Sequence, residues 1–371
     1  MVLREFRRNP AAMAGLGWIS LVALAAMLGY LITPDSSPMA NHQQLEIAAQ
    51  KPGFAIERLK LPIENPPGRP GLFRRMLFGR PLSYHSLPVT DYHIKDSMLY
   101  FTHFSGDFSV EGMRDSLPLS SLSAKYSRIG TSSETEDYFL SHHLKKQRFL
   151  LGTDRFGRDM LSQLIIGARV SLSVGLIAVV ISLIIGLSLG SLAGYVRGRT
   201  DDVIVWFINV IWSVPSLLLV IAISFALGRG FWQVFIAVGL SMWVEVARLV
   251  RGQMLSLREK EFAEAARALG LPSRRIIFRH LLPNIMGPVI VVSAANFASA
   301  ILIEAGLSFL GMGVQPPMPS WGTMIREHYG FIILDKAYLA IWPGLAIMSL
   351  VLSFMLIGNG LRDALEKVAR I

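Results

Sequence analysis

The sequence predicts an all-α membrane protein with six transmembrane helices and a small, irregular external insertion after the first of them. Three observations carry this reading. The 371-residue chain is 52% hydrophobic and only 17% charged, whereas an ordinary soluble chain carries roughly 25% charged residues. The apolar residues gather in long runs, and between Ser36 and Gln147 there is none. These features exclude a disordered chain, a fibrous repeat and a plain soluble enzyme.

A spanning helix needs about 20 mostly apolar residues. Ala11 to Ile32, Val170 to Val196, Val203 to Gly228, Leu281 to Ile303 and Ala337 to Leu361 meet that length without Asp, Glu, Lys or Arg. A sixth run, Gly230 to Val244, is short. It reaches spanning length only by extending through Glu245 and Arg248 to about Val250. Counting it lets the loops alternate correctly and puts both termini on one side. The first run has a basic start but exceeds the h-region of a signal peptide, about 7–15 residues, so it reads as a retained anchor.

Charge gives the orientation. Arg4, Arg7 and Arg8 precede the first span. Arg248, Arg251, Arg258, Lys260, Arg267, Arg274, Arg275 and Arg279 follow the fourth, opposed only by Glu259, Glu261 and Glu264. Arg362, Lys367 and Arg370 close the chain. Positive loops stay in the cytoplasm, so both termini and the loop from Arg248 to Arg279 are cytoplasmic. The net charge of +10 thus reports orientation rather than a nucleic-acid partner. The absence of cysteine excludes disulfides, thiolate catalysis and zinc–thiolate sites.

The external segment, residues 33–150, is punctuated by prolines. Val89 to Phe108 suggests one or two strands, and Leu140 to Leu151 a short helix. It holds His42, His85, His93, His103, His142 and His143, but without a His-x-x-x-His or HExxH spacing. Solvated histidines are the expectation, and no GxSxG elbow supports enzyme chemistry.

The strongest signal lies between Ser256 and Asn284. Ser256 with Glu259 forms a capping box and starts an alanine-rich helix running to about Leu269. Gly270 supplies a residue that can take φ > 0, and a second helix runs from about Arg274 into the next span. Small residues on a short helix, closed by a glycine turn, make a docking knob. Glu264-Ala265-Ala266, then Gly270, then Leu282-Pro283 resembles the EAA loop of ABC-importer permeases. His280 departs from the isoleucine usual in that family.

Further motifs are similar to those of the oligopeptide and dipeptide permeases of the C type. They include Leu151-Gly152-Thr153-Asp154 with Gly157-Arg158-Asp159, Ala193-Gly194-Tyr195 with Asp201, and Gln315-Pro316-Pro317-Met318-Pro319-Ser320-Trp321-Gly322. Thr153 or Asp154 could cap a short helix placing Met160, Leu161, Leu164 and Ile165 on one face. Asn209, Trp206 and Val246 depart from the family pattern and leave substrate identity open. The resemblance covers about Leu150 to Leu365 and the first span in kind, but not the external segment.

The resemblance implies an ABC-importer permease bundle in the inner membrane, importing di- or oligopeptides, with a nickel or other small-solute importer of the same family as the alternative. It implies ATPase coupling through Glu264, Ala265, Ala266, Arg267, Gly270, Leu282 and Pro283. It also implies a homologous B-type permease, two ABC ATPase subunits, an extracytoplasmic binding protein, a peptide substrate and membrane lipid as partners. No P-loop occurs, so no cofactor is expected on this chain and ATP is used by the partners. No catalytic or metal residue is expected. Glu304, Pro215 and Trp321 are candidates for the pathway or its external mouth, weighed against a satisfied carboxylate, a packing proline and a folded-back turn. The expected divisions are 1–32, 33–150, 151–365 with the coupling loop at about 256–284, and a cytoplasmic tail at 366–371. A secondary transporter would need buried ionisable groups in several spans or an inverted repeat, and a membrane-anchored enzyme would need a site in 33–150. The sequence offers neither.

Overall fold

The computed structural model describes residues 1–371 except 69, 124–125, 127–131, 229 and 370–371. In chain order the elements are α1 (Val2–Arg7), α2 (Pro10–Ile32), β1 (Ala55–Pro62), α3 (Leu72–Phe78), β2 (Tyr84–Lys95), β3 (Met98–His103), β4 (Arg114–Pro118), α4 (Leu119–Leu122), α5 (Ser132–His142) and β5 (Leu144–Arg148). They continue with α6 (Met160–Val196), α7 (Arg199–Trp212), α8 (Ser216–Leu227), α9 (Phe231–Arg258), α10 (Glu261–Ala268), α11 (Ser273–Arg275), a π-helical turn (Ile276–Leu281), α12 (Leu282–Phe309), α13 (Trp321–His328) and α14 (Tyr338–Ala369). Two compact units emerge. One comprises residues 1–24, 168–326 and 343–371, the other 25–167 and 327–342.

Among the described residues five helices are long and apolar enough to span, and α7 with α8, bent by 96° at a short break, has the length and composition of a sixth. The third run, expected as one span from Val203 to Gly228, is therefore broken. Pro215 sits at the break, as the residue before α8. Proline lacks the N–H that would continue the ladder, and the residue before it is pushed out of the α region. The pair still crosses the membrane. Arg197, before α7, bonds Glu259 at the end of α9 at 2.6 Å, and Asp201 in the first turn of α7 bonds Arg251 near the end of α9. The start of α7 and the end of α9 thus share a side, and α7 and α8 must carry the chain across.

The α6–α9 contact rests on Gly186, Gly190 and Gly194, spaced one turn apart. A methyl group at Gly190 would lie 2.8 Å from Val250 Cβ, and one at Gly194 would lie 2.6 Å from Met254 Cβ. Small residues at i and i+4 let helix backbones approach where hydrocarbon offers no hydrophobic drive. α2 packs on α14 through Gly15 and through Trp18 Nε1, which donates to Ser349 Oγ at 3.1 Å.

The second unit differs from three expectations. The external segment is not irregular. It holds a five-stranded antiparallel sheet of order β4-β3-β2-β1-β5, covered by Leu59, Val89, Leu99, Phe101, Leu119, Leu122 and Phe139. The helix expected at Leu140 to Leu151 is instead the end of α5 followed by β5. Nor does the segment close at residue 150. Ala49 N–H donates to Asp154 O (2.8 Å), Gln44 N–H to Phe156 O (2.9 Å), and Tyr338 Oη–H to Gln50 O (2.8 Å). The family-like stretch after Leu151 is built into the same unit.

The sheet's two ends lie side by side, with Ala55 opposite Arg148. Excising residues 56–147 and closing with an Asn-Gly turn should therefore preserve the stability of the rest of the protein. Excising 41–140 should not, because it also removes the bonds of Gln44, Ala49 and Gln50, worth about 1 kcal/mol each. Melting of the detergent-solubilised variants checks this. Equal melting temperatures would show that residues 41–55 are dispensable.

Candidate functional site

Two constellations merit description, each inside one unit. The first is the loop after α9. The capping box expected at Ser256 and Glu259 does not form. α9 runs through Ser256 to Arg258, and the break falls at Glu259 and Lys260, with no side-chain cap on α10. Val250 and Met254 of α9 pack with Ala263, Ala266, Ile276 and Leu281. This burial prolongs α9 past its local cap signal.

α10 seats through Ala263 and Ala266, which are buried, and exposes Glu261, Phe262, Glu264, Ala265, Ala268 and Leu269. The glycine turn is as expected. Gly270 has φ +70°, its N–H donates to Arg267 O at 2.9 Å, and Leu271 N–H donates to Ala266 O at 3.2 Å. These are the paired bonds of a Schellman motif. Arg267 lies 3.8 Å from Glu264, both partly exposed. Leu282 opens α12 with Pro283 in its first turn, where a missing N–H is tolerated. The structure thus gathers Glu264, Ala265, Ala266, Arg267 and Gly270 on one knob, with Leu282 and Pro283 at the root of the next span.

Behind the knob, Arg251 makes a two-pronged bond to Asp201 at 2.6 and 2.7 Å. Arg248 donates to Asn209 Oδ1 at 3.1 Å and stacks 3.3 Å over Trp212. A cavity of about 290 Å³ opens at the α7–α8 break, lined by Pro215, Ser241, Glu245, Ser299 and Ile303 among others. Pro215 therefore remains a pathway candidate. Ser241 and Ser299 were not legible as such, because neither belongs to a motif and it is the packing of α9 on α12 that places them beside the break.

Glu304 and Trp321 do not fit an open mouth. Glu304 is fully buried and accepts a bond from Ser308 Oγ at 2.7 Å, while Trp321 is 3% exposed. α13 folds back on α12, where a methyl group at Gly322 would lie 2.7 Å from Ala305 Cα. Distance along the chain suggested a mouth, and this fold-back closes it. Glu304→Gln, which keeps an acceptor for Ser308, should transport and melt near the parental values. Glu304→Ala should destabilise by about 1–3 kcal/mol for the stranded hydroxyl alone. Gln as damaging as Ala would restore a role for the charge.

The second constellation is in the sheet-bearing unit. Asp154, Arg158, Glu327 and His328 cluster, with Asp154, Glu327 and His328 offering ligand atoms within 4.8 Å of one another. Arg158 already binds both carboxylates, at 2.5 Å to Asp154 and 2.8 Å to Glu327, so the group reads as an ion-pair network. Asp159, not Thr153 or Asp154, caps α6, accepting Ser162 N–H at 2.8 Å. The helix it caps is the long α6 itself. Nearby, burial pushes the His42 imidazole down to about 4, aided by the Arg58 guanidinium, and burial pushes the Asp159 carboxyl up. Neither group faces a described cavity.

The family described as binding-protein-dependent transport system inner membrane component matches residues 186–371, and the N-terminal TM domain of oligopeptide transport permease C matches residues 1–52. A dipeptide transport system permease protein of Alkalihalophilus pseudofirmus is 45% identical over 215 residues, 58% of this chain and 70% of that protein. A glutathione transport system permease protein of Pectobacterium atrosepticum is 39% identical over 236 residues, 63% of this chain and 78% of that one. An oligopeptide transport system permease protein of Bacillus subtilis is 38% identical over 219 residues, 59% and 72% respectively. Among solved structures, a chain of the inward-facing MetNI methionine ABC transporter matches at 19% identity and TM-score 0.46, covering 55% of this chain and 97% of that one. With a match over half of its length and these relatives beside it, the chain belongs to the inner membrane components of binding-protein-dependent transport systems.

Proposed function

We propose that this chain is the C-type permease subunit of an ATP-driven peptide importer. It pairs with a homologous B-type permease, receives peptide from an extracytoplasmic binding protein, and is driven by two ABC ATPase subunits. The chain itself carries out no catalysis and takes its energy from ATP hydrolysed by the partners. The observation that carries the reading is the seating of α10. Alanines hold it to α9 and the π-helical turn, and its outer face offers Phe262 and Leu269 beside Glu261 and Glu264. That is a rigid, partly apolar knob with a wide exposed face. The substrate class rests on the relatives, whose names specify dipeptides, oligopeptides and glutathione, itself a tripeptide.

In this reading ATP binding closes the ATPases, moves α10, and rocks the spans as rigid bodies between two accesses. The Gly270 turn and the root of α12 transmit the movement. The decisive experiment is co-purification from native membranes, in which the intact chain should bring down an ATPase. Replacing Phe262 and Leu269 by Asp should remove the ATPase while the B-type permease remains. An intact, inserted chain that never carries an ATPase would overturn the proposal.

Orientation follows from the arginines and is tested separately. A reporter fused at Ser132 should read as external and one fused at Ser273 as cytoplasmic. Ser273 is the sharper site. If α7 and α8 made a re-entrant loop instead of a span, it would read as external.

A further inference from the structure

We propose that α3 is a lipid-binding element, lying on the bilayer surface beside the end of the first span and taking anionic phospholipid headgroups through its arginines. In water its composition is anomalous. Leu72, Phe73 and Phe78 are 73%, 72% and 66% exposed, and Leu77 is exposed beside them. At about 100° per residue, Leu72, Phe73, Met76 and Leu77 share one arc, and Arg74 and Arg75 lie across from it with Phe78, the last residue of the helix, between them. From Pro66 to Ser83 the chain has four arginines and no acid. Arg75 Nε is buried without an acceptor among the described residues. An aromatic and aliphatic face with arginines opposite is the composition of a helix that lies in the membrane interface.

The fold holds α3 at that depth. Arg80 N–H, two residues after the helix, donates to Ser36 O at 2.7 Å. Ser36 follows the last residue of α2 by four positions, a reach of at most about 14 Å. The helix is therefore tied to the chain where α2 leaves the hydrocarbon, and it does not contribute to the core of the sheet. Charge complementarity selects the lipid. Each arginine near an anionic surface adds attraction that falls off within a Debye length.

The chain has no cysteine, so a single one can be labelled. Phe73→Cys, carrying an environment-sensitive fluorophore, would be examined in the assembled transporter. The nanodiscs would hold phosphatidylcholine with or without phosphatidylglycerol, with lipids brominated high on the acyl chain as quenchers. Ser116→Cys on β4 serves as the water-exposed reference, and Ile333→Cys, five residues before α14 and 89% exposed, as the span-end reference. The expected result is blue-shifted emission at position 73 and lipid quenching at least about twofold that at position 116, strongest with phosphatidylglycerol. Replacing Arg74, Arg75 and Arg80 by Glu should return it to the reference level. Quenching equal to that at position 116 in every lipid overturns the proposal. So does shielding that bromolipid does not quench and that develops only when the binding protein is added, since the face would then be a protein-docking surface.

Discussion

Gly270→Pro is expected to abolish substrate-stimulated ATP hydrolysis while leaving the spans inserted. Three costs fall on one residue. Proline fixes φ near −65°, but the turn holds φ at +70°. It removes the N–H that donates to Arg267 O. It also pushes the residue before it towards extended backbone, and Leu269, the C-cap of α10, sits at φ −75°, ψ 2°, far from that region. The Schellman closure cannot form, so α10 loses its fixed direction relative to α12. A graded series separates geometry from bulk. Open space surrounds Gly270, so an added side chain meets nothing and only the backbone is tested. Asn, which tolerates the left-handed region, should retain most activity. Ala should be intermediate, at a cost of about 1–2 kcal/mol. Proline should be inactive. ATP hydrolysis by the reconstituted complex, with and without loaded binding protein, gives the readout. A proline variant that assembles and couples at the parental rate would remove the docking role from this loop.

How far the sequence carries the argument depends on the range of the forces involved. The spans were legible because desolvating about 20 residues leaves a long uncharged run, and α2, α6, α12 and α14 lie where those runs are. The Gly270 turn was legible because a positive φ selects glycine locally. The failures are tertiary. Ser256 and Glu259 carry the local chemistry of a helix start, but burial of Val250 and Met254 against α10 prolongs α9 past them. Two strands, β2 and β3, lie where Val89 to Phe108 suggested one or two, whereas β1, β4 and β5 escaped, and β5, with Leu144, Lys145, Lys146, Gln147 and Arg148, lacks a clean apolar alternation. Glu304 stood between a mouth contact and a satisfied carboxylate because a linear sequence cannot show that α13 folds back beside it. The bend at Pro215 was visible as a possibility. Its angle of 96°, and the cavity with Glu245 that it opens, depend on the packing of α9.

Asp154→Ala is expected to be the most destabilising single substitution in the sheet-bearing unit, by about 3–5 kcal/mol. Asp154 is 1% exposed and its carboxylate accepts three hydrogen bonds at once. Its Oδ1 accepts Phe156 and Arg158 N–H, each at 2.8 Å, which shapes the turn, and its Oδ2 takes Arg158 Nε. Arg158 is itself 5% exposed. Removing Asp154 leaves that charge, among the described residues, with one carboxylate, Glu327 at 2.8 Å, beside Asn41 at 3.3 Å and the Phe156 ring at 4.8 Å. A buried pair costs more to break than it contributes intact, because the remaining ion keeps its desolvation penalty. The double variant Asp154→Ala/Arg158→Met should therefore be more stable than Asp154→Ala alone, although it lacks more native contacts. Asp154→Asn should fall between, since it retains one acceptor for the turn but turns a poor partner toward the guanidinium. Thermal melting in detergent, with hydrogen exchange over residues 33–167, measures each variant. Additive losses in the double variant would show that the pair is not coupled and that the turn, rather than the ion pair, holds this unit together.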